Sequence, residues 1–439
     1  MRQRKSFLSP LSWLHIPFLA IPLLLVSLHA AVSPQQLTPP NSSVPQVLFG
    51  MHIHGMVVPR PGLKEPTPWP SVPFGAWRLW DAYVGWPQLE PKQGTWNFST
   101  LDKYVALAEA HNVEILLPLG LTPEWASARP QEHSAYGSGA AAPPKNIEDW
   151  KVYVRTVATR YKGRIRDYEI WNEPNSPGMF TGDAATLVSL NKEAYRAVKQ
   201  VDPTAIIVSP AINASDPKTI ELFDRFLKLG GANFANVIGY HLYPPQPKVP
   251  EQIPDLVKSV REEMKENGVA NKQVWDTETG WDIANHMPVQ QKNPRALRVL
   301  NDSESAAYLA RAYVLAWASG VSRLYWYAWD NTFMGLVEPD AKTAKPAAVA
   351  YGQVENWLVG ARMTSCASAD NGTWTCAIAR DGGYQGWILW NPNRSLSFTL
   401  PKDWKIRQVR DLAGNAKSLA EAKSYNVGPT PVLFENQSR

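Results

Sequence analysis

With 439 residues, of which 44% are apolar and 19% charged, the chain can bury a large core, and this composition excludes disorder over most of its length. The formal charge of +5 includes three basic residues, Arg2, Arg4 and Lys5, in a segment that we expect to be removed, so the remainder is nearly neutral. A nearly neutral chain without a basic run argues against a nucleic-acid-binding function.

Residues 1–31 have the pattern of an export signal: a basic start, an apolar run over 16–28, and then Ala30 and Ala31. Two prolines interrupt the run, which is short for a membrane-spanning helix. The cleavage site is imperfect because His29 or Leu28 occupies a position that prefers a small residue, so an uncleaved anchor remains an alternative. We therefore predict an exported protein, either secreted, periplasmic or held at a membrane by this segment.

Residues 32–46 are rich in Pro, Gln and Ser and are predicted to be a linker. From there, strand-like apolar runs alternate with helical segments, which predicts a parallel sheet. The predicted strands are 47–54, 76–80, 113–119, 168–171, 205–209, 236–243, 274–278 and 323–329.

Helices are predicted over 101–111, 147–161, 184–201, 217–229, 253–266, 303–319 and 347–358. The first crossover is expected to lack a full helix because residues 59–73 contain six prolines. Eight strands with alternating helices predict a (β/α)8 TIM barrel over 47–360.

From residue 361 the pattern changes to short strands separated by Gly, Asn and Asp turns, which predicts a small antiparallel, β-sandwich-like domain over 361–439. Only two cysteines occur, Cys366 and Cys376, and they flank a predicted hairpin turn at 370–372. In an exported protein this favours a single disulfide. Two free buried cysteines are the alternative.

Two sites in the chain place a glutamate where an apolar strand ends. Tyr168 to Trp171 forms a strand-like run that continues into Asn172-Glu173 and is stopped by Pro174. A lone Glu-Pro pair is more often a surface turn. However, residues 274–281 repeat the arrangement with Glu278 and a following glycine. Two carboxylates on two strand ends of one barrel are the equipment of glycoside hydrolysis.

Active groups of such barrels cluster at the carboxyl ends of the strands. These ends supply two acids, polar groups suited to hydroxyls, and aromatic residues: His52, His54, Arg78, Trp80, Glu124, Trp125, Asn172, Glu173, His241, Tyr243, Glu278, Trp281, Trp326 and Trp329. Glu169 and Asp276 share the faces of the two glutamates, but they lie a layer deeper. We expect Asp276 to pair with Arg78.

The sequence Trp171-Asn172-Glu173-Pro174, together with Glu278, resembles clan A of the glycoside hydrolases. The wider pattern, from about residue 49 to 329, resembles glycoside hydrolase family 39 and the bacterial exopolysaccharide endoglycosidases related to it. The supporting segments are 78–81, 94–98, 122–126 and 241–243.

This resemblance implies that Glu173 is the acid/base, that Glu278 is the nucleophile, and that Asn172 binds the sugar 2-hydroxyl. Arg78 and Tyr243 would hold the nucleophile. Clan geometry implies carboxyl groups ~5–5.5 Å apart and retention of configuration through a glycosyl-enzyme.

The surroundings of the two acids predict opposite protonation states. A guanidinium and a phenol beside Glu278 would keep it ionised, whereas Trp171 and the proline turn would keep Glu173 protonated.

The remaining candidates are expected to bind substrate. Trp125, Trp281 and Trp329 are assigned to sugar subsites. His54 alternates with His52 onto one face, but no third ligand shares their strand, so hydroxyl binding is expected and no metal site is predicted. His241 is either a core histidine or a subsite ligand. No cofactor is needed.

These features predict a retaining β-glycosidase that acts in the endo mode on an extracellular or cell-surface polysaccharide. An exo-acting β-xylosidase is the runner-up, because segments 127–146 and 283–302 are long enough to close one end of the site. A transglycosylase would share every residue named. In a different class, a glycan-binding pseudoenzyme would be expected to lack an acid or Asn172. The expected partner is a polysaccharide or oligosaccharide, with membrane association possible through the N-terminal segment.

Overall fold

The computed structural model describes residues 34–176, 178–213, 220–289, 298–419 and 422–437. The predicted export signal or anchor over 1–31 lies outside these ranges and stays a prediction. Within them, no helix is both long enough and apolar enough to cross a membrane.

The catalytic candidates are carried by a closed barrel of eight parallel strands, which confirms the predicted TIM barrel. Pairing of residues 324–326 with 49–51, and of Val208 with Val237, closes the ring. The barrel strands are β2 (Phe49–His52), β3 (Ala76–Arg78), β4 (Glu114–Leu119), β5 (Asp167–Ile170), β6 (Ile206–Val208), β8 (Val237–His241), β9 (Gln273–Thr279) and β10 (Val321–Trp326).

One barrel strand is interrupted near its carboxyl end. After β6 the chain passes through Pro210, which cannot donate to a ladder, and resumes as β7 (Ile212–Asn213). Strand β7 pairs in parallel with β8, with Asn213 beside His241. The interruption carries the chain outward and places Asn213 at the mouth of the barrel.

Helices surround the barrel, seven of them where the apolar spacing predicts them, whereas the short α1 was not predicted. They are α1 (Trp86–Leu89), α2 (Ser99–Ala110), α3 (Ile147–Arg160), α4 (Ala184–Val201), α5 (Ile220–Lys228), α6 (Ile253–Glu266), α7 (Asp302–Ala318) and α8 (Pro346–Leu358). Side chains of Asn146, Asp183 and Asn301 cap α3, α4 and α7. The proline-rich crossover between β2 and β3 contains no helix, as predicted.

Beyond the barrel lies an antiparallel sheet of seven strands and a separate pair of strands. The sheet runs, in spatial order, through β1 (Gln36–Leu37), β11 (Arg362–Ser368), β12 (Trp374–Ala379), β13 (Gln385–Trp390), β18 (Val432–Glu435), β15 (Gln408–Arg410) and β16 (Ala416–Ser418). The pair consists of β14 (Leu396–Thr399) and β17 (Ser424–Val427). Cys366 and Cys376 face each other on β11 and β12 and form a disulfide.

Strand β1 falls inside the segment that was predicted to be a linker. Gln36 and Leu37 pair with Ala367 and Cys366 at the edge of the sheet. This part of the segment is therefore an edge strand fixed to the C-terminal sheet, and the chain then crosses to the barrel.

Side chains of the sheet alternate between two packing surfaces. On β13, Ile388 and Trp390 join the core shared with the barrel, whereas Trp387 and Leu389 pack with the β14–β17 layer. The indole of Trp390 donates to Glu251 of the barrel at 2.8 Å. The two tryptophans of β13 are thus buried and serve the packing of the domain.

Candidate active site

Arg78, the last residue of β3, joins three side chains at the mouth of the barrel. Its guanidinium donates to Glu169 at 2.6 Å, to Glu278 at 3.0 Å and to the amide oxygen of Asn172 at 2.7 Å. Arg78 and Glu169 are fully buried. One rigid fork therefore sets the positions of residues from two strand ends, those of β5 and β9.

Glu278 lies near the end of β9 and receives two donors. Arg78 bonds its Oε2, and the phenol of Tyr243 bonds its Oε1 at 2.9 Å. The residue is 8% exposed, so the carboxylate is held from the protein side and meets the barrel mouth on the other. Both contacts that the family resemblance implies for Glu278 are present.

Glu173 follows β5 in a left-handed backbone conformation (φ 42°) that turns its side chain over the barrel mouth. Its Oε1 bonds Asn213 Nδ2 and His241 Nδ1, each at 2.8 Å, and its Oε2 accepts from Ser176 at 2.9 Å. His241, which the sequence left as either a core histidine or a subsite ligand, is fully buried, and its ring contacts Glu173.

Glu173, Glu278 and His241 form one cluster. A carboxylate oxygen from each glutamate and a ring nitrogen of His241 all lie within 4.8 Å of one another. This upper limit is shorter than the ~6.5–9.5 Å between carboxyl groups that an intervening water requires in inverting enzymes. The same three groups are also a set that could ligate a divalent cation.

Burial strongly influences both acids, because it favours the neutral form of a carboxyl group. It raises the pKa of Glu278, an effect to which the charge of Glu173 adds and which His241, Arg78 and Tyr243 only reduce. Burial acts in the same direction on Glu173. There, however, the hydrogen bonds from His241, Ser176 and Asn213 outweigh it and lower the pKa.

Both shifts run opposite to the expected protonation order, in which Glu173 was protonated and Glu278 ionised. The expectation gave Trp171 the main influence on Glu173. Instead, the indole of Trp171 packs in the core against Trp150 and Phe180 and donates to the carbonyl of Met179. The polar partners of Glu173 are Ser176 of its own turn, Asn213 of β7 and His241 of β8.

Asn172 has its amide orientation fixed by the guanidinium. Since Arg78 can only donate, Asn172 Oδ1 is the acceptor, and its NH2 group is the end left to donate. That is the orientation needed to bind a sugar hydroxyl.

The deeper acids, Glu169 and Asp276, lie below the mouth, as their positions predicted. Glu169 forms an ion pair with Arg78. The expected pairing of Asp276 with Arg78 is wrong: Asp276 instead accepts from the backbone of Leu242 at 3.1 Å. Burial raises the pKa of Asp276 well above its usual value.

The two histidines of the first strand end do different things. His52 Nε2 lies 3.1 Å from the carbonyl of Thr277, and burial lowers the pKa of this ring. His54 packs against Tyr327 with ring centroids 5.0 Å apart, and its Nε2 has no hydrogen-bond partner in the described part of the chain. His54 is therefore placed to meet a ligand.

The predicted tryptophan subsites are the main correction to the site. Trp281 and Trp329 are only 5% and 3% exposed, so neither presents a ring face to a sugar. Trp281 packs on Trp326 and donates to the carbonyl of Lys248. Trp125 is half-buried and donates to the carbonyl of Glu90 at 2.9 Å. These rings mainly build the walls behind the site.

Aromatic side chains that line the site were missed by the sequence analysis. Asp81 accepts from the phenols of Tyr136 and Tyr327, each at 2.7 Å, and Tyr136 also accepts from the indole of Trp80. These residues line a cavity of about 450 Å³ at the barrel mouth. Trp80 and Asp81 follow β3 and belong to segment 78–81, which supports the family resemblance. Tyr136 and Tyr327 carry no signal beyond being aromatic residues in loops.

Ser176 and Asn213, which hydrogen-bond Glu173, were also missed. Ser176 lies three residues after Glu173, so the turn signal at Pro174 could have pointed to it. Asn213 depends on the interruption of a strand, for which only Pro210 gives a hint.

Comparison with known proteins shows which protein family part of this chain matches. Residues 85–301 match the sequence pattern of Glycosyl hydrolases family 39, a range that includes Glu173 and Glu278. The curated Endo-1,4-beta-xylanase C of Paenibacillus barcinonensis is 24% identical over 27% of this chain. The chain spans 12% of the length of that protein.

Solved structures show the same fold. A family 39 glycoside hydrolase from the gut symbiont Bacteroides cellulosilyticus WH2 superposes with a TM-score of 0.68 and 19% identity, covering 89% of this chain and 81% of that one. A GH39 beta-xylosidase from Caulobacter crescentus gives 0.63 and 18%, covering 91% and 98%. The family domain and these enzyme neighbours support a glycosidase.

Proposed function

Taking the chain as a glycoside hydrolase with a family 39 domain over residues 85–301, we propose that it hydrolyses β-glycosidic bonds with retention of configuration. The observation that carries this proposal is the cluster of Glu173 and Glu278, whose carboxylate oxygens lie within 4.8 Å and whose partners differ. A short separation between the two acids is typical of retaining enzymes.

In the first step an oxygen of Glu278 attacks the anomeric carbon. The bond from that carbon to the glycosidic oxygen breaks, and Glu173 gives its proton to the departing oxygen. Arg78 and Tyr243 each hold one oxygen of Glu278, which fixes the direction of attack. Asn172 donates to the 2-hydroxyl.

In the second step Glu173 acts as a base. It takes a proton from a water molecule whose oxygen attacks the anomeric carbon, and the ester to Glu278 breaks. Ser176 and Asn213 hold Glu173 in place through both steps. Two inversions at one carbon return the original configuration.

The first step needs Glu173 to hold a proton and Glu278 to be ionised, whereas the surroundings lower the pKa of Glu173 and raise that of Glu278. Substrate binding therefore has to oppose these two shifts. A glycosidic oxygen beside Glu173 accepts its proton, and the positive charge developing at the anomeric carbon favours an ionised Glu278. His241 contributes through its tautomer: with Nδ1 unprotonated, it accepts from Glu173 and favours the acid form.

We further propose endo action on a secreted or cell-surface polysaccharide, outside the cytoplasm. The export pattern of residues 1–31 and the likeness to an endo-xylanase support this mode. The alternative is exo action, which the likeness to a beta-xylosidase supports. Acid–base chemistry of this kind uses the protein side chains and needs no cofactor.

The test is a product profile on a panel of β-linked polysaccharides and matching aryl glycosides. Wild type and Glu278→Ala are run side by side, with mass spectrometry of the products and NMR of the first anomer formed. We expect oligosaccharide ladders of retained configuration that the variant does not produce. Single sugars would establish exo action instead, an inverted first product would contradict the mechanism, and bound but uncut glycan would establish a binding protein.

A further inference from the structure

The cavity beside the catalytic pair contains a charged group that the proposed hydrolysis does not use. The cavity lies at the carboxyl ends of β2, β3, β4 and β10 and is lined by His54, Trp80 and Tyr327, among others. It adjoins the catalytic cluster because the guanidinium carbon of Arg78 lies 5.9 Å from the ring centre of Trp80. A glycan seated at Glu278 would therefore extend into it.

Two tyrosines give this cavity open ring surface. Tyr83 is 45% and Tyr136 37% exposed, in contrast to the buried Trp281 and Trp329. The phenol of Tyr136 is held by Asp81, which keeps the ring in place. Exposed aromatic faces suit the apolar faces of sugar rings. The stacking surface of the site is thus formed by these tyrosines.

Arg60 lines the same cavity and lacks an ion pair. One of its terminal nitrogens donates to the carbonyl of Pro339 at 3.0 Å. Its Nε is buried without a hydrogen-bond partner, and no carboxylate of the described residues lies within salt-bridge distance of its guanidinium. A half-buried guanidinium is costly unless an anion compensates it.

The acids nearest to Arg60 are already occupied by other donors. Asp330 accepts from the backbone of His54 and Gly55 and from the hydroxyl of Thr67. Asp340 accepts from the backbone and hydroxyl of Thr343 and from the backbone of Lys342. Neither turns an oxygen onto the guanidinium as a hydrogen-bond acceptor.

The carboxylate of Asp81, also in the cavity wall, is occupied too. Its two oxygens accept the phenols of Tyr136 and Tyr327. The cavity therefore has a negative wall at Asp81 and a positive group at Arg60, which Asp330 and Asp340 attract at longer range but do not hydrogen-bond. An anionic substituent would be repelled by the first and attracted by the second, which gives the bound sugar a fixed orientation.

We propose that this cavity is a subsite for a carboxylate-bearing sugar, whose ring stacks on Tyr83 and Tyr136 while its carboxylate pairs with Arg60. The inference rests on the proposed hydrolysis and names its substrate class: an acidic glycan. The carboxylate can belong to a uronosyl unit or to a pyruvate ketal on a neutral sugar. An Arg fork suits the planar group of either.

The experiment compares acidic polysaccharides with their neutral twins, in which the carboxyl groups have been reduced to hydroxymethyl groups. The panel is glucuronic-acid-containing xylan, hyaluronan and a pyruvylated bacterial exopolysaccharide. The enzymes are wild type, Arg60→Met and Lys64→Met. Lys64 is an exposed cation of the same loop that does not line the cavity, so it controls for loss of charge.

We expect wild type and Lys64→Met to prefer an acidic polymer over its twin. Arg60→Met should lose about 10- to 100-fold in kcat/KM on the acidic polymer relative to the twin, the scale of a hydrogen-bonded ion pair. An equal loss on both polymers would make Arg60 a structural link to Pro339 and overturn the inference, as would a wild type without preference. Mild acid hydrolysis, which removes pyruvate ketals only, distinguishes the two carboxylate sources.

Binding separates this inference from the proposed function. Oligosaccharides of the same panel are titrated calorimetrically into Glu278→Ala with and without Arg60→Met. Preferential binding of acidic oligosaccharides that depends on Arg60, without hydrolysis by wild type, would retain the subsite and overturn the hydrolase. Hydrolysis by wild type without preferential binding of acidic oligosaccharides would retain the hydrolase and overturn the subsite.

Discussion

Two arginines, Arg78 fully buried and Arg323 partly buried, occupy opposite ends of the barrel, and each bonds acidic side chains from other strands. Arg78, at the carboxyl end of β3, bonds Glu169 and Glu278. Arg323, near the amino end of β10, bonds Glu114 at 2.6 Å and Asp167 at 2.9 Å. Both clusters consist of an arginine paired with two carboxylates, but they differ in whether a carboxylate faces a space that a ligand can enter.

At the lower end the three charged groups of the cluster bond one another. The guanidinium of Arg323 lies 4.1 Å from the ring centre of Trp275, which covers its face, and Asp167 is buried. At the upper end Glu278 faces a second carboxylate across a space that a sugar can enter. An ion pair stabilises the fold where its partners are all supplied by the chain, and it can serve catalysis where one carboxylate faces an open site.

The largest effect should come from removing the upper carboxylate. Glu278→Ala is expected to lower kcat by roughly 10^4-fold or more, the scale for a member of a covalent catalytic unit, with the thermal midpoint little changed. Asp167→Asn, in the lower cluster, is the matched control and should retain its kcat. Azide should restore turnover of aryl glycosides by Glu278→Ala, and residual hydrolysis near the wild-type rate would remove Glu278 from its role.

Glu173→Gln should have the next largest effect. We expect a loss of about 10²- to 10⁴-fold for substrates with poor leaving groups, because they need a proton in the first step. Activated aryl glycosides should lose much less in that step. The alkaline limb of the pH profile of kcat/KM should also disappear in the variant. Equal losses for both substrate types would contradict the role of Glu173 as the acid.

Replacing each arginine by methionine tests the comparison directly. Arg78→Met leaves the fully buried Glu169 without its partner, so we expect a loss of about 3–5 kcal/mol in unfolding free energy together with loss of activity. Arg323→Met should cost less, because Glu114 is partly exposed, and its folded fraction should keep kcat/KM. Denaturant titration and activity per folded molecule are the measurements. Activity lost equally in both variants would refute the division between the two ends.

The smallest effect concerns the pH dependence of stability. Burial raises the pKa of Asp167 to about 6, above its usual value near 4. The folded state therefore holds this proton more tightly than the unfolded state, and the stabilisation is present below about pH 4 and lost as the pH rises through about 6. Between these values wild type should lose on the order of 2 kcal/mol relative to Asp167→Asn in thermal or denaturant unfolding. Parallel curves for the two proteins would show that Asp167 is ionised throughout.

The barrel and its two acids could be predicted because their signals are local. An unbroken apolar run such as β4 is buried wherever it occurs in such a sheet, and Glu173 and Glu278 each follow an apolar strand that a turn residue ends. Arg78 and Tyr243 could be predicted in the same way, because they lie at the ends of β3 and β8. Here sequence spacing and position in space coincide.

The remaining features depend on the direction in which a side chain points, which the spacing of residues in the sequence does not encode. Trp281 lies close to a strand end, yet its ring turns inward onto Trp326, whereas Tyr136 comes from a loop and turns outward. The pKa shifts of the two acids were not predicted for the same reason, because Asn213 and His241, which bond Glu173, lie on strands far from it in the chain. A hydrogen bond between such distant segments leaves no periodic trace in the sequence.

Strand β1 imposes an order on how the molecule is completed. The backbone amide of Gln35 reaches the hydroxyl of Ser368, which lies 333 positions later in the chain. Closing so long a loop is entropically unfavourable until the intervening barrel has folded. Strand β1 therefore docks only after the segments between it and β11 have been made and folded, and until then the edge of β11 stays open to other chains.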